Sequence, residues 1–443
     1  MPDRLLDRFL AASGVSTDTR TVRRGEIFFA LRGPTFDGNR YAAAALEQGA
    51  SLAVVDDPDV ATDDRFHLVA DALEALQSLA RAYRRTWTIP VFALTGSNGK
   101  TTTKELLAAM LATTYRVYAT EGNLNNHIGV PLTLLRIPRN AEVAVVEMGA
   151  NHQREIAALC AIAQPTHGLI TNIGRAHLEG FGGIEGVRIG KGELFDYLAA
   201  SGGRAFYNVD DPEVAALVAR VPSRLPYGSV VDPADLADGR PEGHVVTGHL
   251  ERDFPSVICS LATAAARETL TTSLPGAYNY RNLLAAAAVA SYYKVPLASI
   301  AAAAQDYRPG GSRSEERLLD GSPVLFDAYN ANPDSLAAAL RWLASRPEPR
   351  KVAVLGELLE QGAYAKTAHT EAARGALAIE GCEVALFGDA YGDIGLAPGG
   401  ETRTTNFTDV DALAAWLSER TGDAGTVVLI KGSRGNRLER LLA

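Results

Sequence analysis

Residues Val91 to Met110, VFALTGSNGKTTTKELLAAM, constrain this chain more than any other stretch. Val91 to Leu94 is an apolar run with a strand's composition, and Thr95 to Gly99 is small, polar and glycine-bearing. After Lys100, Thr101 and Thr102, helical spacing puts Leu106, Leu107 and Met110 on one face. A strand that ends in a glycine loop and opens a helix is a phosphate cradle: backbone N–H groups at the helix start point at the anion, and glycine lets the backbone approach it. Lys100 is placed to reach the outer phosphates and the Thr101 hydroxyl to ligate Mg²⁺. The common pattern G-x-x-x-x-G-K requires glycine where Leu94 stands; here the loop's first glycine is Gly96, which sets the chain apart from the usual kinase and GTPase loops.

The same β–loop–α rhythm recurs from Ile89 onward. Glu142 to Met148 reads as a buried strand ending in a carboxylate, followed by a helix over Arg154 to Ala163. Gly168 to Ile173 and Ala205 to Val209 read as further strands, with a helix over Glu185 to Ala200 between them. This alternation predicts an α/β fold with a doubly wound, mostly parallel sheet, its ligands beyond the carboxyl ends of the strands. The loop at 96–102, Glu147, the loop around His177 and Asn208 to Asp211 all fall at such ends. Residues 225–275 are turn-rich and β-prone and read as a small antiparallel extension, closed by helices over Tyr280 to Tyr293 and Leu297 to Ala304.

At 443 residues the chain exceeds what one core serves, so two or three domains are expected, and the changes of pattern along it divide it into three. The first, 1–88, has strands at Ile27 to Ala30 and Leu52 to Val55, helices at Tyr41 to Gln48 and Ala72 to Arg84, and polar loops STDTR and RGPTFDGNR. The second, 89–307, carries the phosphate loop and is the expected nucleotide-binding unit. A Pro/Gly break at Tyr307 to Ser312 opens the third, 308–443, Rossmann-like, with strands at Val324 to Ala328, Lys351 to Gly356, Val384 to Gly388 and Thr426 to Lys431. A net charge of −9 argues against nucleic-acid binding through bulk basicity, so any anion must be held by local groups. Three well-separated cysteines point to a reducing compartment. No run approaches the ~18 apolar residues of a membrane span, and the charged N-terminus lacks the core of a signal peptide, so a cytoplasmic protein is expected.

Single residues leave choices open. Glu147 is either a structural cap or, beside a phosphate loop, a Mg²⁺ ligand. His177 taken alone is more often a satisfied hydrogen-bonding residue, and Lys191 on its helix a solvated cation. STDTR and RGPTFDGNR favour plain turns over a nucleotide-sugar site. The order of motifs narrows these choices: GSNGKTTTKE, GNLNNHIGVPLTLL (122–135), EMGA (147–150), NIGRAHLEGF (172–181), GKGELF (190–195), NVDD (208–211), GAYNYRNLLAAAA (276–288), RSE (313–315), DAYNANPDS (327–335), LGELLEQG (355–362) and KGSRG (431–435). From about residue 16 to its end the chain resembles the Mur ligase superfamily, and DAYNANPDS with NLNNHIGVPLTLL resembles the branch that joins D-alanyl-D-alanine to UDP-N-acetylmuramoyl-tripeptide.

The resemblance implies a cytoplasmic, ATP-dependent ligase of peptidoglycan precursor synthesis, monomeric, acting on two small-molecule substrates through an acyl phosphate. Thr95, Gly96, Ser97, Asn98, Gly99, Lys100, Thr101 and Thr102 would hold the ATP phosphates. Thr101 and Glu147 would bind one Mg²⁺. His177 would bind a second with Lys191, which is carbamylated in this family. Lys100, Glu147, His177 and Lys191 form the implied catalytic set. Asn279 and Asn282 would lie at the adenine, next to Tyr278 where many relatives carry His or Arg, and Arg313 and Asp327 would reach the phosphates and ribose. Thr19, Arg20, Asp37 and Gly38 would lie near the uridine, Asn123, Asn125 and Asn126 near the growing peptide, and Tyr329, Asn330 and Asn332 on the dipeptide side. Diaminopimelate-adding relatives carry DNPR in the last domain, where this chain has NANPDS. A small-molecule kinase would need no acceptor amine, and a non-catalytic relative would not need Lys100, Glu147, His177 and Lys191 together.

Overall fold

The computed structural model describes residues 2–237, 243–310, 314–392, 394 and 403–442. Three sheets follow one another along the chain. In the first, Gly14–Ser16, Glu26–Phe29, Leu52–Val55 and Phe66–Leu68 pair in that order, all parallel. RGPTFDGNR is not a plain loop: Arg32–Gly33 and Phe36–Asp37 pair antiparallel as a hairpin, and Asp37 caps a 3₁₀ turn over Gly38–Tyr41. The helix Pro2–Ala11 is an element that its charged sequence conceals, since only a narrow stripe with Leu5 and Phe9 is buried.

The central sheet has nine strands. Val117–Ala119, Val143–Glu147, Val91–Thr95, His167–Ile170, Arg204–Asn208 and Ser223–Ser229 lie side by side and parallel. Val91–Thr95 and Val143–Glu147 are buried throughout, as near-continuous apolar runs covered on both faces must be. Residues 225–275 contain the expected antiparallel extension, from Thr247 to Thr271, entered through one further parallel strand. Ser223–Ser229 extends the parallel sheet, and Thr247–Arg252 begins parallel to it. Only then do Ile258–Ala262 and Arg267–Thr271 turn antiparallel. The proline and tyrosine in Ser223–Ser229 hide a strand that pairs at the margin of the parallel array.

The third sheet runs Glu315–Leu319, Ser322–Asp327, Thr426–Lys431, Arg350–Gly356, Cys382–Phe387 and Thr404–Phe407, with only the first strand antiparallel. It has its own apolar clusters on both faces. The first sheet, by contrast, shares a cluster with the central one: Leu5, Phe9, Leu76, Leu79 and Tyr83 pack with Leu134, Ile137, Ile156 and Leu159. Polar contacts reinforce the seam. Tyr83 Oη donates to the Ile137 carbonyl at 2.9 Å, and Arg84 Nε to the Ala163 carbonyl at 2.9 Å.

Candidate active site

The strand Val91–Thr95 delivers the phosphate loop to the carboxyl edge of the central sheet, and Gly99 caps the helix Lys100–Ala112 with φ +79°. The loop is held from behind by the next strand's exit. Ser97 Oγ donates to the Gly174 carbonyl at 3.0 Å, Asn172 Oδ1 accepts from Asn98 N at 3.0 Å, and Thr171 Oγ1 donates to the Asn98 carbonyl at 2.6 Å. Gly96 lies so close to that exit that a Cβ would meet Thr171 Oγ1 at 2.0 Å. Lys100 curls over the loop, its Nζ donating to the carbonyls of Gly96 at 2.6 Å and Ser97 at 3.1 Å.

Glu147 ends its strand 1 % exposed, beside this loop. Its Oε1 accepts from Asn125 Nδ2 at 2.8 Å and Thr101 Oγ1 at 3.2 Å. Its Oε2 is buried without a hydrogen-bond partner, 3.9 Å from the ammonium of Lys104. A buried carboxylate oxygen left unbonded is costly unless a cation completes it. The pairing of one carboxylate and one hydroxyl suits Mg²⁺, which takes one or two protein oxygens and fills its octahedron with phosphate and water. No group of three or more His, Cys, Asp or Glu side chains gathers for a metal among the described residues.

Lys191 is 1 % exposed, against its reading as a solvated cation. Its Nζ donates to the Ala150 carbonyl at 3.0 Å and lies 5.0 Å from the Phe181 ring centre. Burial, with the nearby Lys100 charge, pulls its pKa well below the usual lysine value, while Glu155 and Glu193 oppose this less strongly. His177 adopts φ +54°, and its Nδ1 is in hydrogen-bond contact with the Glu360 carboxylate. His177 and Lys191 flank the same region but their side chains pair with different partners.

A cavity of about 880 Å³ opens between the central sheet and the third sheet. Ser97 to Thr102, Asn123, Asn125, Asn126, Glu147, His177, Tyr278, Asn279 and Asn282 line it from one side. Asp327, Tyr329, Asn330 and Lys431 line it from the other. Lys191 lies behind this lining. Asn282 Oδ1 accepts from Thr103 Oγ1 at 3.3 Å, and Asn279 Nδ2 donates to the Pro275 carbonyl at 2.8 Å. Tyr278 Oη is 3.2 Å from Ser314 Oγ, across the cavity, and burial raises its pKa. Asp327 pairs with Lys431 at 2.5 Å. The Arg434 guanidinium lies 5.4 Å from the Tyr329 ring centre.

Several implied site residues carry local structural duties. Asn126 Oδ1 accepts from Gly129 N at 2.8 Å at the start of the next helix, and Asn330 Oδ1 accepts from Ala331 N. Asn332 caps the helix Pro333–Ser345 and donates from Nδ2 to Asn98 Oδ1 at 2.7 Å, tying the two sheets' loops together. Thr95 is fully buried. Thr19, Arg20, Asp37 and Gly38 do not line the cavity. Arg20 grips Asp18 and Asp37 caps its turn. Arg313 lies outside the described residues.

Sequence reasoning passed over Lys104, Arg175, Asp334, Glu360 and Lys431. Arg175 crosses between the sheets, bonding Asp334 at 3.0 Å and Glu371 at 2.7 Å. Lys104 follows Lys100 by one helical turn, and Glu360 and Lys431 stand inside LGELLEQG and KGSRG; those were the available signals.

The chain matches three family models: "Mur ligase family, catalytic domain" over residues 11–84, "Mur ligase middle domain" over 94–290, and "Mur ligase, glutamate ligase domain" over 313–434. It is 34% identical to the UDP-N-acetylmuramoyl-tripeptide–D-alanyl-D-alanine ligase of Bacillus subtilis, covering 97% of this chain and 92% of that one. Its fold superposes on crystal structure I of MurF from Acinetobacter baumannii with a TM-score of 0.84 at 28% identity, covering 99% and 97% of the two chains. It also superposes on MurF from Thermotoga maritima in complex with ADP, with a TM-score of 0.83 at 28% identity, covering 98% and 97%.

Proposed function

This chain belongs to the Mur ligase family, and from that premise we propose how its own residues divide the work. It is an ATP-dependent ligase that adds D-alanyl-D-alanine to UDP-N-acetylmuramoyl-tripeptide in peptidoglycan synthesis, through an acyl phosphate. A carboxylate is a poor acyl donor and an ammonium is not a nucleophile, so activation comes first. The tripeptide's terminal carboxylate oxygen attacks the γ-phosphorus and ADP leaves. The dipeptide's free amine then attacks the acyl carbon, phosphate leaves and the nitrogen loses its proton. Thr95 to Thr102 cradle the phosphates, and Lys100 swings from its loop carbonyls to offset charge on the transferring phosphoryl group. Asn279 and Asn282 face the adenine, with Asp327 and Arg313 on the ribose and phosphates. Thr19, Arg20, Asp37 and Gly38 take the uridine end, and Asn123, Asn125 and Asn126 the peptide. Tyr329, Asn330 and Asn332 take the dipeptide. The acyl phosphate must be kept from water, which would hydrolyse it, and drawing the two sheets together over the bound substrates would do so.

Bound Mg²⁺ supplies charge neutralisation on the phosphates. Thr101 and Glu147 would hold one ion, His177 and a carbamylated Lys191 the second. The buried lysine supports that modification: only a neutral amine has the lone pair to attack CO₂, releasing a proton, and Lys191 is held toward neutrality by burial. The resulting carbamate turns a cation into the oxygen donor a hard metal prefers. We place the enzyme in the cytoplasm, as a monomer; no helix among the described residues is long and apolar enough to cross a membrane.

The observation that carries the reading is the unbonded Glu147 oxygen beside Thr101 and the phosphate loop, in a cavity whose far wall belongs to another sheet. Phosphate release from ATP is measured with UDP-N-acetylmuramoyl-tripeptide, with and without D-alanyl-D-alanine. Release that depends on the dipeptide is expected; release indifferent to it ends the ligase reading.

A further inference from the structure

The segment LGELLEQG (355–362) takes no part in the reading above, yet it reaches the cavity's edge. The Glu360 carboxylate is in hydrogen-bond contact with His177 Nδ1, and the Glu360 carbonyl accepts from Glu179 N at 3.2 Å. The two partners follow strands of different sheets, His167–Ile170 and Arg350–Gly356. Both are non-glycine residues in the left-handed region, His177 at φ +54° and Glu360 at φ +61°. Such backbone costs free energy and persists only where its surroundings enforce it, which is most often at functional sites. Two residues on, Gly362 has φ +52°, and a Cβ there would stand 3.0 Å from Glu179 Cβ, so the two loops are fitted closely to each other.

We propose that Glu360 is a positioning residue that couples docking of the third-sheet domain to the readiness of His177. An imidazole donating its Nδ1–H to a carboxylate is fixed in one tautomer and orientation, leaving Nε2 with a lone pair. His177 lines the cavity, and its Nε2 makes no hydrogen bond to the described residues. Undocking takes Glu360 away and leaves the ring free to rotate and to exchange tautomers. By linkage, a cation bound at Nε2 favours the docked arrangement by the same factor that docking favours the cation. The inference rests on His177 being a metal ligand, as in the reading above.

The test uses the full chain loaded with ADP and titrated with Mn²⁺, free ion being read by electron paramagnetic resonance. Glu360→Ala is expected to lower Mn²⁺ affinity roughly 10- to 100-fold, the usual effect of losing such an outer partner. Glu360→Gln, whose amide oxygen still accepts from Nδ1–H, is expected to stay within about threefold of the parent. His177→Ala is expected to weaken Mn²⁺ at least as much as Glu360→Ala. If His177→Ala changes nothing, the metal assignment fails and this inference falls with it. If His177→Ala weakens Mn²⁺ and Glu360→Ala does not, the coupling alone is overturned. A readout without metal is the ¹⁵N shift pair of His177 in ¹⁵N-histidine-labelled protein, assigned with His177→Gln. An Nδ1–H ring is expected in the parent and loss of that preference in Glu360→Ala; the same tautomer in both overturns the proposal.

Discussion

Replacing Gly99 by Ala tests whether the phosphate loop works in the conformation described. Gly99 stands at φ +79°, where an L-residue costs about 1–2 kcal/mol. The added Cβ would lie 2.1 Å from Asn282 Oδ1, against an ordinary contact of ~3.5 Å. Asn282 would have to withdraw, breaking its hydrogen bond from Thr103 Oγ1 at 3.3 Å. One such bond is worth about 1 kcal/mol. The sum, about 2–3 kcal/mol, opposes the loop shape that receives phosphate, and so corresponds to roughly 30- to 150-fold weaker ADP binding by titration calorimetry. Gly202→Ala is the control. Gly202 has φ +71° with nothing within 4 Å of its Cβ, and it caps Ile184–Ser201. It should lower the melting temperature while leaving ADP affinity unchanged. A Gly99→Ala protein that binds ADP within about twofold of the parent would refute the reasoning.

Lys191→Ala should abolish dipeptide-dependent phosphate release, with partial return of activity on adding small carboxylates; full activity without them removes the carbamate. His167, 9 % exposed, has its pKa lowered by burial, and less by Arg204, from 6.5 to about 4. The unfolded chain therefore takes up a proton between those values while the folded one does not. Stability is complete above pH 6.5 and falls toward pH 4, by about 3 kcal/mol in all. His167→Phe should flatten the decline in unfolding midpoint between pH 7 and pH 5, and an unchanged slope would remove His167 as its cause. Arg175 is partly exposed, so its pairs with Asp334 and Glu371 are each worth no more than about 1 kcal/mol. Arg175→Ala should nevertheless raise the radius of gyration in small-angle scattering with ATP analogue and sugar nucleotide bound; identical profiles would show that docking does not depend on it.

Local signals revealed the central strands well, because a strand covered on both faces must be an unbroken apolar run, as in Val91–Thr95 and Val143–Glu147. They failed where burial is partial. Pro2–Ala11 hides a narrow apolar stripe among charges, and Ser223–Ser229 pairs through its backbone despite Pro226. Glu147 was legible because its strand announces where the carboxylate ends up. Lys191 was legible only by resemblance, since nothing in GKGELF distinguishes a buried lysine from a solvated one. The pairings of Arg175 with Asp334 and His177 with Glu360 join residues more than a hundred positions apart, and no local pattern encodes which loops of two sheets will meet.

The shared cluster that runs from Leu5 and Phe9 through Tyr83 to Leu134 and Ile156 gives the molecule a thermodynamic anatomy unlike its sheet count. The first sheet cannot melt without exposing apolar surface that belongs equally to its neighbour, so the two should unfold as a single cooperative block. The third sheet's clusters are made almost wholly of its own residues, with Phe254 of the central unit packed against one of them, and it meets the rest largely through polar loops. Scanning calorimetry should then resolve two transitions from three sheets, and a nucleotide held by both walls of the cavity, as proposed, should bring them together. If the first sheet takes the sugar nucleotide and the central one the phosphates, as proposed, both rest on one packed body, and any closure has only the third sheet to move against it.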